Sequence, residues 1–66
     1  MTKQEQRKTI IHQINHMVDF QKEYPDNYSA YEQAQGFICC AMFADIITTD
    51  EYSEYACILR QIHFGK

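Results

Sequence analysis

A chain of 66 residues, 45% hydrophobic and 23% charged with a formal net charge of −3, makes one globular domain and has no length for a second. Two glycines and one proline exclude a low-complexity or disordered class, and the acid excess disfavours nucleic acid as a partner. A domain this short buries only about 60% of the surface its unfolded chain exposes, so it ordinarily needs a disulfide, a metal or a partner subunit.

Three times a hydroxyl residue precedes a glutamate by three places at the head of a helical pattern: Thr2 with Glu5, Ser29 with Glu32, and Thr48 with Glu51. In such a capping box the hydroxyl accepts from the third helical N–H while the glutamate reaches back to the cap's own N–H. Three boxes predict three helices.

The first helix is predicted over 3–22, with Ile10, Ile14, Met17 and Val18 at three- and four-residue spacing and Ile11 widening the stripe. Pro25 disfavours a helical Tyr24, so the chain breaks over 23–27 and folds back. The second helix is predicted over 30–47. From Phe37 to Ile47 ten of eleven residues are apolar, Asp45 being the exception. A helix apolar around its whole circumference must be surrounded, and two neighbours cannot surround it, which predicts self-association. Gly36, Cys40 and Ala44 recur every fourth residue as a ridge of small side chains that a neighbouring helix could approach closely, with Ile38, Met42, Phe43 and Ile46 as bulk beside it. This run is shorter than the roughly 20 residues a membrane span needs and is flanked by acids, so no membrane partner is expected.

The segment 47–52 reads as a tight turn in which Ile47 and Tyr52 staple the third helix, predicted over 49–63, to the second. That helix carries Tyr52, Tyr55, Ala56, Leu59 and Ile62 on one side. The stretch from Gly36 through Thr49-Asp50-Glu51-Tyr52 resembles the helical hairpins of small bacterial proteins, including short oligomerisation modules; the resemblance implies a hairpin and no particular function. The fold class expected is therefore all-α, a single domain over 1–66 of three helices in antiparallel αα-hairpins, associating into a helical-bundle homodimer.

Candidate chemistry is sparse. His12, His16, Asp19 and Glu23 lie on one side of the first helix, and imidazoles at i and i+4 with a carboxylate one turn on can share a metal. The plainer reading, the solvated face of an amphipathic helix, outweighs it, because no fourth ligand is near and no glutamate separates the histidines as in zinc proteases. No metal and no cofactor is expected. Of the three cysteines, Cys39 and Cys40 read as small core residues, and Cys57 as a thiol on the outer side of the third helix with only Arg60 nearby to activate it. An odd cysteine count and a polar stretch from Met1 to Lys8 predict a reduced, cytoplasmic setting. No phosphate-binding loop, strand-borne nucleophile or paired carboxylates appear, so no enzymatic activity is expected.

Between Glu23 and Glu54 lie seven acids and no lysine or arginine, while Lys3, Arg7, Lys8, Lys22, Arg60 and Lys66 occupy the ends. Of these, Glu32, Asp50 and Glu51 belong to helix starts, where carboxylates complement the macrodipole. A helix-turn-helix contact with DNA would aim Asp50, Glu51 and Glu54 at phosphate, so no nucleic-acid partner is expected. Tyr24, Tyr28 and Tyr31 cluster by the first loop and Tyr52 and Tyr55 on the third helix, a residue type suited to interfaces. The function expected is a small, self-associating interaction or regulatory module. Its interface candidates are Gly36, Phe37, Cys40, Phe43, Ala44, Ile47, Tyr28, Tyr31, Tyr52 and Tyr55, with room for an unknown protein partner. Two alternatives stand beside it: a phage or mobile-element inhibitor of a host protein acting through the acidic surface, and a metal-binding helical protein using His12 and His16.

Overall fold

The computed structural model describes residues 2–65; Met1 and Lys66, a basic residue counted above, lie outside them. The described residues form three α-helices and no strand: α1 (Lys3–Glu23), α2 (Tyr28–Phe43) and α3 (Thr49–Phe64). Each packs on the other two. The path is antiparallel at each turn, since Arg7 near the start of α1 reaches Ile46 and Glu51, while His63 near the end of α3 reaches Pro25. No described helix is long and apolar enough to cross a membrane.

Thr2 caps α1, its hydroxyl oxygen accepting from the Glu5 N–H at 3.2 Å. Thr48 caps α3 with both halves of the box made: Thr48 Oγ1 accepts from the Glu51 N–H at 3.1 Å, and Glu51 Oε1 accepts from the Thr48 N–H at 2.8 Å. Between them, α2 starts two residues earlier than the Ser29–Glu32 pattern predicts. Asn27 is its cap, Oδ1 accepting from the Ala30 N–H at 3.1 Å. Asparagine is as good a cap as serine, and Asn27 is delivered there by a four-residue turn with Pro25 in second position, closed by the Asn27 N–H to the Tyr24 carbonyl at 3.1 Å.

The other end of α2 also departs from expectation. The helix stops at Phe43, not Ile47, because Asp45 turns into the left-handed region at φ 61°. The Asp45 N–H donates to the Met42 carbonyl and the Ile46 N–H to that of Ala41, at 3.0 and 2.9 Å, the two bonds of a Schellman motif. The lone polar residue of the apolar run is thus a terminator. Aspartate tolerates this conformation better than most residues, yet glycine would hold it without strain. Asp45→Gly should therefore stabilise the fold by roughly 0.5–1 kcal/mol, the relieved strain less the extra freedom glycine gives the unfolded chain; a urea titration reads the shift.

The core is Ile14 and Val18 of α1, Ala34, Ile38 and Ala41 of α2, Ile47 of the second turn, and Ala56 and Leu59 of α3. Ile10, Ile11, Met17, Tyr31, Phe37, Met42, Ile46, Tyr52, Tyr55 and Ile62 pack around it. Three of the eight central side chains are alanines, small enough to permit close approach of the helices. The ridge of Gly36, Cys40 and Ala44 takes no part.

Among the described residues one polar side chain is sealed in. Gln21 continues the stripe of Ile14 and Val18 and is 0% exposed. Its Nε2 donates to the carbonyls of Tyr24, Pro25 and Asn27 at 3.3, 3.2 and 3.4 Å, two N–H groups shared among three acceptors of the first turn. Its Oε1 is buried with no hydrogen-bond partner.

Candidate interaction surface

Because Ala34, Ile38 and Ala41 face inward, helical spacing carries Gly36, Cys40 and Phe43 to the opposite side of α2, with Ala44 beyond its end. All four are exposed, Phe43 at 77%. A Cβ added at Gly36 would meet nothing within 4 Å. The expectation that Cys39 and Cys40 are core residues is corrected: Cys39 is half-buried and Cys40 exposed. The part of α2 from Phe37 onward has no inward face marked by its own pattern, and the alanines that admit close approach are the residues turned inward. Phe37 is half-buried at the margin of the face, packed against the core. Of the remaining interface candidates, Tyr28 is exposed, Tyr31, Tyr52 and Tyr55 are half-buried on their own chain, and Ile47 is enclosed at 3% exposure.

A second surface lies at the end of the bundle holding the first turn. The Tyr31 ring stacks on the His63 imidazole with centroids 4.8 Å apart and planes 9° from parallel, Tyr28 meets the same imidazole at 5.6 Å, and Phe64 stands edge-on to Tyr31 at 5.5 Å. His63 Nδ1 lies 2.8 Å from the Pro25 carbonyl oxygen. That oxygen can only accept, so Nδ1 carries the proton. The same carbonyl accepts from Gln21, so α1 and α3 both bind one peptide group of the turn. Phe20 and Tyr24 pair nearby in sequence at 4.9 Å. The tyrosines were visible in the sequence as candidates; His63 and Phe64 were not, because their partners lie more than thirty residues away.

The opposite end is tied by charge. Arg7 makes a two-pronged contact with the Glu51 carboxylate, Nη1 to Oε1 at 2.9 Å and Nη2 to Oε2 at 2.5 Å, and Nη1 also donates to the Ile46 carbonyl at 3.0 Å. The Arg7 hydrogen bonds, helped by the Thr48 N–H, hold the Glu51 carboxyl down at about 2. A carboxylate whose folded-state value lies below its unfolded one contributes stability that is complete above the unfolded value and is lost as pH falls toward the folded one. Urea titrations over a pH series should therefore show stability falling as pH drops below about 4.3 and continuing to fall toward pH 2, by the modest amount a solvent-screened surface pair contributes. Glu51→Gln should flatten that limb and lower stability at neutral pH.

His12, His16, Asp19 and Glu23 are all exposed on α1, and His16 borders a groove with Met17, Phe20, Ala30, Gln33 and Ala34. Among the described residues no three His, Cys, Asp or Glu side chains gather where they could hold a metal ion. Cys57 is exposed on α3. Compared with known protein families, curated proteins and solved structures, the chain matches none.

Proposed function

We propose that the chain is a small interaction module, without catalytic activity of its own, that pairs with a second copy through the outer face of α2. The observation supporting this reading is that face itself: Cys40, Phe43 and Ala44 lie in water, although they belong to the most apolar part of the sequence, and Gly36 just before it is exposed with them. A two-fold pair with α2 antiparallel to its mate about Cys40 would set Gly36 against the mate's Ala44 and Phe43 against the mate's Phe37. Small residues at the crossing permit close approach, and the phenylalanines supply the buried anchors on which such interfaces depend.

Light scattering over a dilution series tests it. The expected mass is twice 7.9 kDa at high concentration, falling to the monomer on dilution, and Phe43→Glu should be monomeric throughout while keeping its helix content. Gly36→Ala separates pairing from folding. It has free space in the single chain and should stabilise α2 by roughly 0.5–1 kcal/mol, while weakening association. A wild-type protein monomeric at every concentration overturns the reading.

A further inference from the structure

We draw no further inference here: the strongest candidate, the ring cluster of Tyr28, Tyr31, His63 and Phe64 where the end of α3 meets the first turn, is a half-exposed aromatic surface bordered in the chain by charges of both signs, Glu23 and Glu32 with Lys22 and Arg60, so nothing in the structure shows what covers it.

Discussion

Ile38→Ala should cost about 3–4 kcal/mol and leave a substantial fraction of the chain unfolded at 25 °C. Ile38 is 0% exposed at the centre of α2, the helix that packs on both others. Alanine removes three carbons from a site whose neighbours include Ala34 and Ala41, so little bulk nearby can move in, and the cavity term adds to the lost transfer energy. A domain of this length has a total stability of roughly 3–10 kcal/mol, which makes the loss a large share of the whole. Urea unfolding followed by far-ultraviolet circular dichroism measures it, at one fixed protein concentration so that association contributes equally to each variant. Ile58→Ala is the control: Ile58 is 41% exposed on α3 and should change stability by no more than about 0.5 kcal/mol. A loss below about 1 kcal/mol for Ile38→Ala would mean that α2 is not seated as described.

Gln21→Glu should be nearly as damaging at neutral pH and much less so in acid. The substitution keeps the shape of the side chain but replaces two N–H donors by a carboxylate facing three carbonyl oxygens. An uncompensated buried charge costs about 3 kcal/mol or more. The glutamate therefore stays protonated in the folded state beyond its unfolded value of about 4.3. The sign follows: as pH rises through that value the unfolded chain releases its proton first, so the penalty grows with pH and is largely absent below about pH 4. Gln21→Met, which has no donor and no charge, should lose roughly 1–3 kcal/mol with no such pH dependence. Stability curves from pH 3 to 8 for the two variants separate the terms. A Gln21→Glu protein as stable as the wild type at pH 7 would show that the amide is not the clamp of the first turn.

The number of helices and their order were legible because the signals that start them are local. Thr2 and Thr48 act as caps within three residues of their partners, and Pro25 acts on its immediate neighbour. The errors at α2 are also local, and each has a cause. Ser29 was outcompeted by Asn27, an equally good cap two residues earlier, and Asp45 read as a flaw in a helix when it was the residue able to take a left-handed turn. Which side of α2 faces inward could not be read from the apolar run that begins at Phe37; the polar Ser29, Glu32 and Gln33 of the preceding turns, opposite Ala34, Ile38 and Ala41, carried the signal. Gln21 left a trace, a polar residue continuing the stripe of Ile14 and Val18 just before a proline. The Arg7–Glu51 fork and the His63–Pro25 bond left none, because they join residues 44 and 38 positions apart, and no pattern in one sequence marks such pairs.

The two extremities of the bundle are fastened by unlike means, and they should loosen under unlike conditions. Where α1 begins, the fastening is an ion pair at the surface, open to screening by salt and to neutralisation by acid. Where α1 ends, it is a proline carbonyl gripped from two sides by an amide and an imidazole under a lid of rings, which salt hardly touches. Raising ionic strength should thus make amide hydrogens near Thr48 exchange sooner while those around Asn27 keep their pace, giving this short rod one end that frays and one that holds.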